Sequence, residues 1–552
     1  MSAFSRLFLL LVVLIAAWVV ADGIGVRKLA NTDEGRYSEI SREMAASGDF
    51  VTPRLNDLKY FEKPPLQYWA TALAFLAFGE NDVSARLYTT LCALGCLLLV
   101  LYAGSRLYDV ETGIYAAIAL LAMPFFAGMA NVVTLDMGLT FWLTLSVVAY
   151  VMSQSTPPPY RQRWMLGFWI GMAGAVLSKS LIGIVLPAAA VFLYALWPFD
   201  WRRWLRLDWL RGLPLFLLIS APWFALVSWR NPEFAHFHFI HEHFERFLTT
   251  GHHRVGDWYY FVPVLLLGVL PWLFAMFPAL LSAWQAPGIA RGQEPVFRPL
   301  RFLLLYSMFV FVFFSKSGSK LPHYILPMFP PLALMIAVWI RHAQSRWLAW
   351  LTLPVMPLAV ALCYLLWTLP ASRDDAFSRR LYEAASIWGI AGFAMLSLAL
   401  LVAFYLLRAN RKWAGVALIA VASFTCMELV KHGYERVSPL QSSFALARSV
   451  AAEMQPQTRL YTVHNYEQGL PYYLKRTLTM VDYVDEFELG QQQEPQKYLP
   501  TVGEFITAWR LPGAAIAIIQ PGDEATLAAA GLEFDVFHRD PVRLAIRKKQ
   551  AT

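Results

Sequence analysis

The sequence contains little charge, since only 15% of its 552 residues are Asp, Glu, Lys or Arg and 58% are hydrophobic. Soluble domains carry about 25% charged residues, so a purely soluble protein is excluded. The short alternating strands of a transmembrane β-barrel are also missing. Apolar runs of about 20 residues recur instead, and they predict an α-helical protein that crosses a membrane many times.

Cysteine is equally scarce. The four cysteines lie inside apolar runs, which predicts packing residues and neither a disulfide framework nor a zinc motif. The net charge is +8, but the arginines concentrate in short loops between apolar runs, where the positive-inside rule explains them. We therefore predict no nucleic-acid partner.

Hydropathy divides the first 430 residues into about thirteen predicted membrane spans. Their approximate limits are 6–22, 84–105, 112–128, 134–152, 164–178, 180–197, 210–229, 258–283, 301–314, 324–341, 346–368, 382–407 and 412–430. The apolar stretch 66–79 is short for a span, and we interpret it as an interfacial or re-entrant helix.

The loops alternate in charge. If the N-terminus is cytoplasmic, the basic loops all fall on the cytoplasmic side. The loops on the far side are longer and mixed in charge, and they are 22–83, 230–257, 315–323 and 370–381. A basic residue on the far side opposes this bias, so it needs another reason to be there, such as an anionic ligand.

The composition changes after residue 430. The segments RLYTV, TLTMVDYV, AAIAII and VRLAIRK are typical of short strands, and FITAW and DEATLAAAG are typical of short helices. This alternation predicts a small α/β domain over 431–552, large enough to fold alone. An odd number of spans places it on the far side, together with the loops 23–83 and 230–257 of the membrane domain.

Two motifs in the first far-side loop carry charge beside the membrane. In NTDEGRYSEI, Asp33 and Glu34 either belong to a helix start capped by Asn31 or Thr32, or form part of a substrate site. In FEKPPLQYW, two prolines stiffen the backbone next to Lys63. A rigidly placed ammonium suits a phosphate, although a lysine reaching to the membrane interface gives the same pattern.

Two further motifs lie at the far-side ends of predicted spans. Asp136, in NVVTLDMG, begins a span, so it either complements the helix dipole or belongs to the site. In SKSGSKLPHYILP, Lys316 and Lys320 lie where positive charge is disfavoured, and Tyr324 adds a hydroxyl donor. This pattern favours an anion site over an ordinary loop.

Histidines concentrate in HFHFIHEHFERFLTTGHHR, residues 236–254. By residue type, His236, Glu242 and His243 resemble metal ligands, but their spacing matches no standard zinc pattern. We favour an interfacial aromatic helix whose Arg246 faces a phosphate. A structural divalent metal such as zinc, held by Glu62 and His243, is the alternative.

The order of these motifs is DEGRY, FEKPPLQYW, TLD and KLPHYILPMFPPLA. It resembles the GT-C membrane glycosyltransferases of the protein-O-mannosyltransferase-like superfamily and, within it, the bacterial lipid A aminoarabinose transferases. The likeness covers about residues 1–430. It implies a multi-pass enzyme of the bacterial inner membrane whose active site and C-terminal domain are periplasmic.

The resemblance also implies the substrates. The donor would be undecaprenyl phosphate 4-amino-4-deoxy-L-arabinose, and the acceptor a lipid A phosphate, whose capping lowers surface charge and gives resistance to polymyxin and other cationic peptides. Asp33 matches the family's catalytic acid position, and Lys63 and the KLPHY segment match its donor-phosphate region. The candidate catalytic residues are thus Asp33, Glu34 and Asp136.

The donor-phosphate candidates are Lys63, Arg246, Lys320 and Tyr324, because fixed cations stabilise the charge that develops on a departing polyprenyl phosphate. No metal is required, since there is no pyrophosphate to bridge. Two alternatives stay open at this point. One is a protein O-mannosyltransferase that uses polyprenyl phosphate mannose, and the other is a lipid flippase or transporter.

Overall fold

The computed structural model describes residues 20–156, 160–196, 204, 206–245, 256–288 and 296–549, without the side chains of 241–245. Most of the first predicted span, 6–22, lies outside these ranges. The described chain is mainly helical, and a sheet appears near its C-terminus. This confirms the predicted fold class of a polytopic α-helical protein with a C-terminal α/β domain.

Long apolar helices make up the membrane part. The helices of this part are Asp82–Leu107, Val110–Leu121, Pro124–Met129, Leu135–Ser155, Tyr160–Lys179, Ile182–Leu196, Trp209–Arg230, Phe261–Gly268, Leu273–Gln285, Pro299–Lys316, Phe329–His342, Ser345–Thr352, Val355–Thr368, Ala376–Arg408 and Lys412–Arg436. Within the described ranges, eight helical segments are long and apolar enough to span a membrane. A bent pair of helices brings the number to nine if it counts as one span.

Several predicted spans are shorter or more broken than expected. The run predicted as 112–128 is interrupted before Pro124, which begins a new short helix. Its first part, Val110–Leu121, has 12 residues and is about 18 Å long, less than the roughly 30 Å of a hydrocarbon core. The span predicted over 258–283 is bent, because Phe261–Gly268 and Leu273–Gln285 meet at 102°. The count of thirteen therefore stays a prediction.

The first loop folds into a helix, a small hairpin and a second helix. The helix Asp33–Ser47 ends at Gly48, whose positive φ of 71° suits glycine. Strands β1 (Arg54–Leu55) and β2 (Leu58–Lys59) pair antiparallel, and the predicted short apolar helix follows as Leu66–Phe78. The expected cap is wrong: Thr32 makes no side-chain capping bond, and the Asn31 amide donates to Glu467 instead, at 2.6 Å.

A six-stranded mixed sheet forms the C-terminal domain, in the order β5-β4-β3-β6-β8-β7. The strands are β3 (Arg459–Val463), β4 (Thr479–Val481), β5 (Tyr498–Leu499), β6 (Ala515–Ile519), β7 (Phe534–Arg539) and β8 (Leu544–Lys548). The α-helices of this region are Ser438–Gln441, Phe444–Glu453, Leu470–Leu474, Glu488–Gln493, Val502–Arg510 and Asp523–Ala529. All four predicted strands and both predicted helices are present, and β5 and β7 are additional.

The two faces of this sheet bury different partners. One face packs on its own helices through Tyr461, Phe505 and Trp509. The other contributes Met480 and Ile516 to a hydrophobic core that also contains Tyr37, Ile40 and other side chains of the first loop. The C-terminal domain and the first loop therefore share one core, and that core holds the helix Asp33–Ser47 against the membrane helices.

Candidate active site

A cavity of about 160 Å³ opens where the first loop meets the ends of three membrane segments. The first loop contributes Asp33 to it, and the helices Leu135–Ser155 and Tyr160–Lys179 contribute Asp136 and Lys179. The segment that follows the helix Pro299–Lys316 contributes Tyr324. The other lining residues are Arg36, Tyr37, Glu62, Lys63, Pro64, Leu135, Ser180, Ile182, Phe313, Phe314, Ser317, Ser319, Leu321 and His323.

Asp33 presents an accessible carboxylate at the first turn of its helix. Its side chain is 27% exposed, and its Oδ1 lies 4.0 Å from Nη1 of Arg36 one turn later. Arg36 is nearly buried, and its Nη2 donates to Oε1 of Glu486 in the C-terminal domain, at 2.8 Å. Burial raises the pKa of Glu486, and the Arg36 guanidinium opposes that rise. Asp33 is thus only loosely paired and faces the cavity.

Lys63 lines the same cavity beside Glu62. Its Nζ donates to the backbone carbonyl of Glu62 at 3.1 Å and lies 3.5 Å from the Glu62 carboxylate. Pro64 and Pro65 follow directly and restrict the backbone, as the sequence predicts. The Lys63 side chain is 18% exposed, so it lies at the cavity wall and is not fully buried.

Asp136 is the centre of a third charged group. It accepts from Nζ of Lys179 at 2.6 Å, and Nε2 of His323 lies 3.4 Å from its other oxygen. The Lys179 ammonium also lies 4.3 Å from the centre of the Tyr324 ring, at cation–π distance. Asp136 therefore holds a cation against the tyrosine of the KLPHY segment.

Lys179 and Arg36 are cavity residues that the sequence reasoning missed. Lys179 falls between two predicted spans on the far side, where positive charge opposes the topological bias. The same rule that singles out Lys320 would have found Lys179. Arg36 is not singled out by that rule, because it lies within a long far-side loop and the positive-inside bias acts mainly on short loops.

Two parts of the cavity wall are joined by His238. This residue, on the π-helix His236–Glu245, is fully buried; its Nδ1 lies 2.9 Å from the Phe61 carbonyl and its Nε2 lies 3.1 Å from Oγ of Ser180. Phe61 comes just before Glu62 and Lys63, and Ser180 follows Lys179. At least one histidine of the His-rich segment thus has a structural role.

Lys320 and Lys316 are not among the lining residues. Nζ of Lys320 donates to the carbonyls of Ser315 and Ser317, at 3.2 and 2.7 Å. The Lys320 side chain therefore forms hydrogen bonds within its own loop. Burial lowers the pKa of Lys320, and nearby Asp257 offsets part of that effect. Lys316 is exposed. Of the two donor candidates in this motif, Tyr324 lines the cavity and Lys320 supports its wall.

Some of the remaining candidates fall outside the described side chains. Arg246, Glu242 and His243 are among them, so the phosphate and metal roles predicted there stay predictions. Glu62 lines the cavity. Across the residues that the structure does describe, no group of three or more His, Cys, Asp and Glu side chains is arranged to hold a metal ion.

Although Glu34 directly follows Asp33 in the chain, its side chain lies elsewhere and does not line the cavity. It is 2% exposed and accepts hydrogen bonds from Arg27 and from Nε of Arg86, the latter at 3.0 Å. It also accepts from the backbone N–H groups of Ala30 and Val133, at 2.9 and 3.1 Å. Two guanidinium groups outweigh its burial and lower the pKa of Glu34 to about 2. Its geometry is that of a structural anchor.

Two family models match the chain. The aminoarabinose transferase C-terminal domain matches residues 446–548, and the dolichyl-phosphate-mannose-protein mannosyltransferase model matches residues 4–238. Among solved structures, the crystal structure of ArnT from Cupriavidus metallidurans bound to undecaprenyl phosphate is similar with a TM-score of 0.91. It is 34% identical, and the match covers 99% of this chain and 98% of that one.

Curated relatives are similar over a shorter region. The undecaprenyl phosphate-alpha-4-amino-4-deoxy-L-arabinose arabinosyl transferase of Shewanella sediminis is 31% identical over 58% of this chain and 57% of its own length. The protein of the same name from Pseudomonas paraeruginosa is 33% identical over 66% of each chain. The chain thus spans a little under two thirds of these relatives, and nearly all of the crystallised ArnT.

The anchor role of Glu34 predicts a loss of stability when its charge is removed. In Glu34→Gln, the buried guanidinium of Arg86 and the partly buried one of Arg27 lose their counter-charge, which costs about 3 kcal/mol of the free energy of unfolding. Thermal denaturation of the detergent-solubilised protein, followed by tryptophan fluorescence, measures the change. The matched control is Glu80→Gln, which removes an exposed pair with Lys475 at 2.8 Å and should cost at most about 1 kcal/mol.

The same anchor has a defined pH window. Because the pKa of Glu34 is lowered from 4.5 to about 2, its contribution is complete above pH 4.5 and is lost as the pH falls toward 2. Glu34→Gln should therefore lose stability at pH 7 and differ little from the wild type near pH 2. Equal melting temperatures of the two proteins at pH 7 would contradict the anchor role.

Proposed function

The chain belongs to the aminoarabinose transferase family, and we propose that it transfers 4-amino-4-deoxy-L-arabinose from undecaprenyl phosphate to a phosphate of lipid A. The observation that carries this proposal is the cavity itself. It gathers an accessible carboxylate, Asp33, and the fixed cations Lys63 and Lys179 beside apolar helices. A lipid phosphate sugar needs such a set of groups at the edge of a bilayer.

The reaction breaks the bond between the anomeric carbon and the donor phosphate oxygen and forms a bond to an acceptor phosphate oxygen. The departing undecaprenyl phosphate gains negative charge as the bond breaks. Lys63 is placed to stabilise that charge, because its carbonyl hydrogen bond and the following prolines fix its position. Tyr324, against Lys179, adds a hydroxyl donor on the other wall.

Asp33 is the candidate for orienting the acceptor or for binding the ammonium group of the sugar. The acceptor phosphate is already largely ionised at neutral pH, because the second pKa of a phosphate monoester is about 6. A strong general base is therefore unnecessary. A carboxylate that is 27% exposed, with a described guanidinium no closer than 4.0 Å, keeps capacity for a substrate group.

We propose that the transfer itself needs no metal, since the donor holds a single phosphate. A structural divalent ion on Glu62 and His243 remains a separate proposal. Metal analysis of the purified protein, followed by chelation and an activity assay, tests both. Loss of activity on chelation that added zinc restores would reject the first.

The setting that we propose is the bacterial inner membrane, with the cavity and the C-terminal domain on the periplasmic side. The support is the charge bias of the loops, which assigns the basic ones to the cytoplasm. Lipid A modified there would carry less negative charge. Cationic antimicrobial peptides such as polymyxin would then bind the cell surface less well.

The competing functions differ in product. Mass spectrometry of lipid A, with and without the protein, shows a pentosamine-sized increase only if the proposal holds. A protein O-mannosyltransferase would leave lipid A unchanged and add hexose to protein. A flippase would give no turnover in detergent, where no membrane separates two compartments.

Asp33→Asn should reduce transfer at least 100-fold, because the amide keeps the shape of the side chain but loses its charge. Turnover of undecaprenyl-linked aminoarabinose with lipid A in detergent measures the effect. Asp374→Asn, an exposed acid in another loop, is the control and should be normal. Near-normal activity of purified Asp33→Asn protein would reject a role for Asp33 in the reaction.

Lys63→Ala should weaken donor binding about 10- to 100-fold, the usual cost of losing a charged hydrogen bond. Lys63→Arg keeps the charge and should lose less. The KM for the donor measures both, and Lys316→Ala is the control because that lysine is exposed and lies off the cavity lining. Equal and small effects of both Lys63 variants would instead indicate a lysine that only reaches the membrane interface.

The proposed topology predicts which side of the membrane each loop occupies. In a variant without the four native cysteines, Ala46→Cys and Ala525→Cys should react with a membrane-impermeant maleimide in intact spheroplasts. Arg346→Cys should react only after lysis. All three positions are exposed in the structure. Labelling of Ala46→Cys and Ala525→Cys from opposite sides would contradict the hydrophobic core that the first loop shares with the C-terminal domain.

A further inference from the structure

A side chain of the C-terminal domain contacts one of the residues that line the cavity. Glu486 is nearly buried, and its Oε1 accepts a hydrogen bond from Nη2 of Arg36 at 2.8 Å. Arg36 is itself a lining residue of the cavity, one turn after Asp33. A carboxylate that is 450 residues away in the chain therefore sets the position of a guanidinium beside the candidate catalytic acid.

The Arg36 guanidinium still has hydrogen-bonding capacity. Its Nε is buried and has no partner among the described residues. The carboxylate of Asp33 lies at 4.0 Å, too far for a hydrogen bond. An unpartnered donor on a buried arginine costs free energy unless a ligand or water takes the hydrogen bond. A planar guanidinium suits a phosphate in particular.

The Glu486 carboxylate is itself held in place, so it can fix the position of the Arg36 guanidinium. The amide of Gln468 donates to the same Oε1. The segment that contains Gln468 packs directly on the helix of Arg36, since a Cβ on Gly35 would lie 2.5 Å from the backbone nitrogen of Gly469. This close backbone contact leaves little freedom between the two elements.

We propose that Glu486 is a positioning residue of the transfer reaction, which holds the Arg36 guanidinium so that it binds a phosphate oxygen of a lipid substrate. The inference rests on the proposed function. The phosphate belongs either to the undecaprenyl donor or to lipid A, and the two sources share the same chemistry. The C-terminal domain then contributes to substrate binding in the cavity.

The test is steady-state kinetics of Glu486→Gln and Arg36→Gln with both lipid substrates in detergent. Each variant should lower kcat/KM at least tenfold, mainly by raising KM for one substrate. A raised KM for the undecaprenyl donor assigns the phosphate to the donor, and a raised KM for lipid A assigns it to the acceptor. Unchanged KM values for both substrates would overturn the inference.

The double variant separates positioning from general damage. If Glu486 acts through Arg36, then adding Glu486→Gln to Arg36→Gln should cause less than a twofold further loss. Multiplied losses would overturn the inference. Glu486→Asp, which keeps the charge on a shorter stem, should show an intermediate loss, and it carries the same test if Glu486→Gln does not fold.

The matched control is Glu494→Gln. Glu494 also belongs to the C-terminal domain and also pairs with an arginine of the first loop, Arg54, at 3.0 Å, but neither lines the cavity. It should keep activity within twofold of the wild type. If Glu494→Gln loses as much activity as Glu486→Gln, domain attachment explains both and the inference fails. An inactive wild-type protein would instead reject the proposed function.

Discussion

The buried carboxylate of Glu34 is the constraint on which the cavity depends. Removing a carboxylate from water costs several kcal/mol unless charges and hydrogen bonds replace the solvent. Here Arg27 and Arg86 supply the charges, and the backbone N–H groups of Ala30 and Val133 complete the shell. These partners come from the first loop, from the helix Asp82–Leu107 and from the segment before Asp136. A single anion thus fixes the relative positions of Asp33 and Asp136.

The shared hydrophobic core extends this constraint to the soluble domain. Tyr37 and Ile40, on the helix that carries Asp33, pack in the same cluster as Met480 and Ile516 of the sheet. Removing the C-terminal domain would expose this apolar surface and leave the Arg36 guanidinium without Glu486. The two regions differ in composition, but the structure joins them through one hydrophobic core around the first loop. The C-terminal domain is large enough to fold alone, but in the structure part of its core is formed by the first loop.

The sequence predicts what depends on local pattern and charge. The strands of the C-terminal domain follow from short β-branched runs, and Asp33, Lys63 and Tyr324 follow from motifs beside the membrane. The adjacency of Asp33 and Glu34 in the sequence does not bring both into the cavity, because consecutive residues on a helix point about 100° apart. Whether Lys320 faces a ligand or its own loop carbonyls depends on backbone geometry that a sequence does not show. The predicted spans also differ from the observed helices where Pro124 begins a new helix and where a 102° bend divides an apolar run.

The charges of the cavity are arranged in pairs, and this pairing has a consequence for turnover. Lys179 lies against Asp136, Lys63 beside Glu62 and Arg36 against Glu486. Each carboxylate lowers the cost of holding a cation in a poorly solvated site before substrate arrives, so the cations need no rearrangement during bond breaking. The same carboxylates weaken the attraction of these cations for a phosphate. In the proposed transfer, the product undecaprenyl phosphate carries more charge than the donor, so three unopposed cations would bind it most tightly and slow its release. For that reaction, the paired arrangement would favour the transition state without trapping the product.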